Sequence, residues 1–195
     1  MAHALLLKGN WYDFDSILNE LLTSVESIDK ISDFIRVTLI FGKGEEELRK
    51  GLISKAFFWK FLKKLEHGTK KLPNGRRSWW LGEIYKRKAG VDSVSLEKDI
   101  HPEFLLKSWE YAKEGDNFRI LTEIGHHLSF KFCGVAGSIE KLAEVHVSVV
   151  LGICHDQGSI ERLKIFGDNL MKFWNQVNYR RLTESALPDL TNLRD

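Results

Sequence analysis

Two groups of side chains in this 195-residue sequence have the types and spacing to do chemistry. The first lies between Trp59 and Lys88, in WKFLKKLEHGTKKLPNGRRSWWLGEIYKRK. It holds ten cations, Lys60, Lys63, Lys64, Lys70, Lys71, Arg76, Arg77, Lys86, Arg87 and Lys88, against two acids, Glu66 and Glu83. The band therefore carries +8 while the whole chain carries +2, which leaves −6 for all other residues. Charge segregated in this way attracts polyanions, either nucleic acid or the headgroups of an acidic membrane. Aromatic residues are interleaved with the cations, and an indole exposed beside Arg76 and Arg77 suits base stacking or burial at a membrane interface. The expected polyanion-binding set is the ten cations with Trp79 and Trp80. The plainer alternative, a solvated basic face over ordinary core, fits Phe57, Phe61 and Leu65, which share one helical stripe.

The second group is His126, His127, Cys133, His146, Cys154 and His155. Zinc sites place ligands in close pairs such as C-x-x-C or H-x-x-x-H, and neither spacing occurs. If residues 127–133 and 145–154 pair as a hairpin, His127 falls near Cys154 and Cys133 near His146. Those two pairs are then about 20 Å apart at ~3.3 Å per residue. Four ligands do not converge, so the expectation is no metal and no other cofactor. Cys154 and His155 are sequence neighbours, but on a strand they point to opposite faces, a poor arrangement for a nucleophile and its base. The Gly42-Lys43-Gly44 turn before Glu45–Glu47 is unlike a dinucleotide site, because three acids would repel a pyrophosphate. No Gly-x-Ser-x-Gly elbow, phosphate loop or His-Glu-x-x-His is present, and an enzyme is not expected.

The elements that must position these groups follow from periodicity. Phe14, Ile17, Leu18, Leu21, Leu22, Val25 and Ile28 recur at helical spacing, and Ile35, Val37, Leu39 and Phe41 alternate as a strand. A second helix runs from Gly44 to about residue 66. Leu72-Pro73-Asn74-Gly75 predicts a turn, folding Trp79–Lys86 back as one arm of a hairpin. His101-Pro102-Glu103 starts a helix that ends at Gly115. Leu128, Phe130 and Phe132 predict a strand, as do Val145, Val147, Val149, Leu151 and Ile153. Ser159 is expected to cap a last long helix, and the similar GSIEKL (137–142) and GSIERL (158–163) reuse one helix-start chemistry. The expected fold is α+β: one domain over 1–182, with a small, mostly antiparallel sheet flanked by amphipathic helices, and a C-terminal extension at 183–195 available to a protein partner.

Composition sets the outer bounds. At 43% apolar and 29% charged, the chain can build a core and is not compositionally disordered. Two cysteines fit a reducing compartment. Ala4–Leu7 is too short for a secretory core, and no apolar run approaches the ~18–20 residues that span a bilayer. The expected location is cytoplasmic or nuclear, with any membrane contact peripheral.

Two stretches, FIRVTLIFGKGEEELRKGLISKAFFWKFL (34–62) and VHVSVVLGICHDQGSIERLKIFGDNL (145–170), give the chain an element order that resembles rhabdovirus matrix proteins. The resemblance covers about a quarter of the sequence, without the family's lysine-rich N-terminal tail or Pro-Pro-x-Tyr motif. It implies a non-enzymatic structural or adaptor protein that self-associates and binds an anionic membrane, RNA or a nucleocapsid. The alternatives are a soluble RNA-binding regulator, such as a silencing suppressor or immune antagonist, and a small enzyme or metal protein built on the His/Cys hairpin.

Overall fold

A computed structural model describes residue 16 and residues 55–90, 101–155 and 160–183. Their elements are helices α1 (Lys55–Thr69), α2 (Asn74–Lys88), α3 (Pro102–Glu114) and α4 (Phe118–Ser129), a 3-10 turn at Cys133–Ala136, then α5 (Ile139–His155) and α6 (Ile160–Thr183). The described residues are 86% helix with no strand, so the expected α+β fold with an antiparallel sheet is overturned.

Three strand expectations fail, and the valine-rich stretch shows why: its apolar residues satisfy a helical period as well as an alternating one. In α5 the inward residues are Leu142, Val145, His146, Ser148, Val149, Gly152 and Ile153, at helical intervals. The remaining members of the apparent alternation, Val147 and Leu151, are left 57% and 55% exposed. Leu128 belongs to α4, whose C-cap is Phe130. Pro73-Asn74-Gly75 is the start of a helix and no hairpin turn, so Trp79–Lys86 lies within α2. With Val145–Ile153 helical, the strand that carried the second stretch of the matrix-protein resemblance is absent.

The helix expected from His101-Pro102 is α3, with Pro at its first turn and Gly115 as C-cap. The helix expected to reach residue 66 is α1 in its described part. The Gly-Ser helix start also holds: Gly137 takes φ +75° after the 3-10 turn, and the Ser138 hydroxyl accepts from the Lys141 N–H at 3.1 Å. The 35–41 strand, Ser159, the 158–163 turn's first residues and, apart from helical Ser16, the 14–28 helix lie outside the described residues.

The core sits where α2, α3, α4 and α5 meet. Leu105, Trp109 and Ala112 of α3 pack with Ile120, Ile124 and Leu128 of α4 and Val145 of α5, all with no accessible surface. Trp109 is anchored there by its indole N–H, which donates to the Ser148 hydroxyl at 2.7 Å. Helix pairs approach closely through small residues. A Cβ on Gly82 would stand 3.3 Å from Ala112, and one on Gly125 would stand 2.5 Å from the Val149 Cγ2. Alanine at Gly125 is therefore expected to force α4 from α5 and cost about 1–3 kcal/mol in a denaturant titration.

Candidate polyanion-binding surface

The basic band divides into two parts with opposite fates. The first part surrounds the α1–α2 corner. Leu62, Leu65 and Leu72 are buried and fix the inward side of α1 and the turn that follows it. The opposite side then carries Lys60, Lys63, Lys70, Lys71 and Arg76 into solvent, with Lys64 and Arg77 half-buried. Arg77 braces the corner itself. Its Nη2 donates to the carbonyls of Lys70 (2.8 Å) and Leu72 (3.0 Å), closing the chain after α1. At the corner α2 begins with no acid in its first turn and no side-chain cap, since Pro73 is the N-cap residue. The positive end of that helix dipole therefore adds to the lysine field.

The second part is turned into the protein. Lys86 is 3% exposed and pairs with Glu123, and Lys88 is 6% exposed and pairs with Glu66. Arg87 pairs with Glu83 at 3.0 Å, an i,i+4 contact along α2. The Glu83 carboxylate has no accessible surface and is also held by Arg119 and by the Asn117 amide, which donates at 3.3 Å. Arg119 continues to Glu123 at 3.2 Å, so one chain of charges runs Lys86–Glu123–Arg119–Glu83–Arg87 and ties α2 to α4. Trp80 is buried, and half-buried Trp79 packs edge-on against it with ring centroids 4.5 Å apart. Lys86, Arg87, Lys88 and Trp80 thus brace the fold, and the outward set narrows to Lys60, Lys63, Lys64, Lys70, Lys71, Arg76 and Arg77, with Trp79 at its margin.

Glu66 is the one acid between residues 59 and 82, and it does not neutralise the corner. It accepts from Lys88 and from the Tyr85 hydroxyl, the latter at 2.6 Å. Burial works to raise the Glu66 carboxyl, but these hydrogen bonds and the nearby Lys88 charge outweigh it and hold the group below its ordinary range. The same arrangement, led by burial and then by the hydrogen bond to Glu66, pushes the Tyr85 phenol far above its usual value. A depressed carboxyl stabilises the fold above its unfolded pKa, and that contribution is lost as pH falls through the folded value. Glu66→Gln is therefore expected to flatten the fall in melting temperature below about pH 4.5, the ordinary glutamate value. An unchanged acid limb in a thermal scan would remove the assignment.

The histidines and cysteines, expected on a hairpin, are dispersed over helices. His155 stacks on Phe118 at 4.1 Å and Cys154 is exposed, whereas Cys133 and His146 are buried. Among the described residues no cluster of three or more His, Cys, Asp or Glu could hold a metal. His146 occupies an aromatic seam. Its ring centroid lies 5.8 Å from Trp174, 5.9 Å from Phe173, 6.4 Å from Phe166 and 6.4 Å from Phe130. Its Nε2 is buried and has no hydrogen-bond partner among the described residues, and its other nitrogen bonds to the Ser129 backbone. Burial lowers its pKa, and the Ser129 bond opposes this only in part. Cation–π attraction to neighbouring rings would favour a charged imidazole by about 0.5–2 kcal/mol. Removing water from an unpaired charge costs several kcal/mol, so the neutral ring prevails.

Sequence reading missed Arg119, Asn117 and Glu123, because nothing local marks a residue on another helix as the partner of the band. The Glu83–Arg87 spacing was the one signal available. A cleft of about 500 Å³ opens beside this network, with Trp79, Asn117, Phe118, Arg119, His155 and Arg162 among its walls. No helix among the described residues is long and apolar enough to cross a membrane. No family model matches this sequence, and comparison with curated proteins and with solved structures gives no match.

Proposed function

We propose that this chain is a non-enzymatic binding protein that engages a polyanion, an acidic membrane surface or RNA, through the α1–α2 corner. The observation that carries this reading is the excess of outward cations there. Seven Lys/Arg lie between residues 59 and 82, and the single acid of that stretch, Glu66, is committed to Lys88 and Tyr85, while Glu114 of α3 lines one cleft with Lys70 and Arg77. A corner projecting cations from a helix face and a helix N-terminus offers backbone-type contacts to phosphates. It reads no base identity, so binding to RNA is expected to be independent of sequence. On an anionic leaflet each lysine near the surface contributes about 1 kcal/mol.

The test is charge reversal at Lys60, Lys63, Lys70 and Lys71 together, with Lys107 and Lys131 reversed as the control. Both proteins are assayed by RNA gel shift and by flotation with phosphatidylserine vesicles. The corner variant is expected to lose at least about a hundredfold in affinity at low salt, and the control much less. The wild-type protein is expected to weaken steeply with added salt. Equal binding by both variants, with helical circular dichroism retained, sinks the proposal. Which assay responds names the polyanion.

A further inference from the structure

Among the described residues, helix α6 meets the body of the protein along a narrow seam. Over its described side chains Phe166, Phe173 and Val177 are buried, with Leu163, Leu170 and Trp174 partly covered. Ile160, Ile165 and Met171 on the same helix are exposed. His146 of α5 lies at the middle of this seam, touching Phe166, Phe173 and Trp174 of α6 and Phe130 at the end of α4. His126 of α4 touches the same Phe130 and Phe166, at 5.3 and 5.8 Å.

We propose that His146 is an acid-sensitive latch: taking up a proton, it opens the aromatic seam and releases α6 while the α2–α5 core stays folded. Among the described residues, the groups around it leave a charged imidazole without an anion. From α4 the seam receives His126, itself basic, and the Ser129 backbone bond. From the 3-10 turn it receives Cys133, a buried thiol whose pKa burial raises, so it stays neutral. Lys131, between these elements, is exposed and lies over Phe132. From α6 it receives rings, while Lys164, Asp168 and Lys172 of that helix are exposed. One turn away on α5 stand Leu142, Ala143, Val149 and Val150. A proton on Nε2 would have no acceptor among the described residues, and the lowest route to one is water, reached by parting α5 from α6. The sign is fixed by the burial that disfavours the charged ring. Full docking holds above the ordinary histidine pKa and is lost as pH falls below it.

Hydrogen exchange followed by mass spectrometry on the full chain tests this at about pH 7.5 and pH 5.5, after correction for intrinsic rates. Peptides from 160–177 are expected to lose protection by about tenfold or more at the lower pH, while peptides from α3 and α4 keep theirs. His146→Phe fills a similar volume with no titratable group and is expected to hold α6 at both pH values. If that variant does not fold, His146→Gln carries the same expectation. His126→Gln is expected to keep the acid response. Uniform loss of protection over all helices at pH 5.5 overturns the latch. So does a release of α6 that persists without the histidine, or the absence of any release in the wild type.

Discussion

Glu83→Ala is expected to lower unfolding free energy by about 3 kcal/mol, the largest effect of any single charged residue in the described fold. Glu83 is fully enclosed and receives Arg87, Arg119 and Asn117 at once. Its removal takes the carboxylate away from the Arg87 guanidinium, which is 7% exposed and still donates to the residue-83 carbonyl at 3.2 Å. Arg119 is 52% exposed and can turn to water, which is why the value sits at the lower edge of the ~3–5 kcal/mol that breaking a buried pair costs. The companion variant Glu83→Met with Arg87→Met should recover most of the loss, because an apolar pair of similar size removes both buried charges. Urea unfolding of the two singles and the double, arranged as a cycle, measures the coupling. A Glu83→Ala change within about 0.5 kcal/mol of wild type, the scale of an ordinary surface substitution, would show that the network contributes nothing to stability.

Trp109→Ala is expected to cost about 3–5 kcal/mol, because the cavity left at the meeting of α3, α4 and α5 cannot collapse. The indole has no accessible surface and touches the layer formed by Ile120, Ile124, Leu128 and Val145. The ammonium groups of Lys113 and Lys141 lie 5.3 and 4.9 Å from its ring centroid, adding a cation–π component. Trp109→Phe separates packing from hydrogen bonding. It keeps an aromatic ring but removes the donor to Ser148, whose hydroxyl still donates to the Val145 carbonyl at 2.7 Å. That variant should lose roughly 1–2 kcal/mol, from one hydrogen bond and a smaller ring. Equal losses for the alanine and phenylalanine variants would mean that the indole N–H, and not its volume, holds the helices together.

The two large effects share an origin in residues far apart in sequence. Glu83 meets Arg119 across 36 positions and Trp109 meets Ser148 across 39. Neither contact has a local signature, so neither could be read before the helices were placed. The same holds for Lys86 with Glu123 and Lys88 with Glu66. Their signs were visible, but a count of net charge along the chain is blind to which cations a neighbouring helix has already matched.

The amino-acid order by itself determined the helix starts at Pro102 and Ser138, the inward place of Leu65 on α1 (the side chains of Phe57 and Phe61 lie outside the described ones) and the gathering of cations between residues 59 and 88. Each of these depends on backbone chemistry or on spacing within a turn or two of one helix. Tertiary structure decided which half of the basic band faces water, that Trp80 is interior, and that the valine-rich 145–153 stretch is helical. In that stretch the helix buries Val145, Val149 and Ile153 against α4 and α6, leaving Val147 and Leu151 outside. A β-branched run fits a pleated strand or a helix face, and the surface available to cover it selects between them.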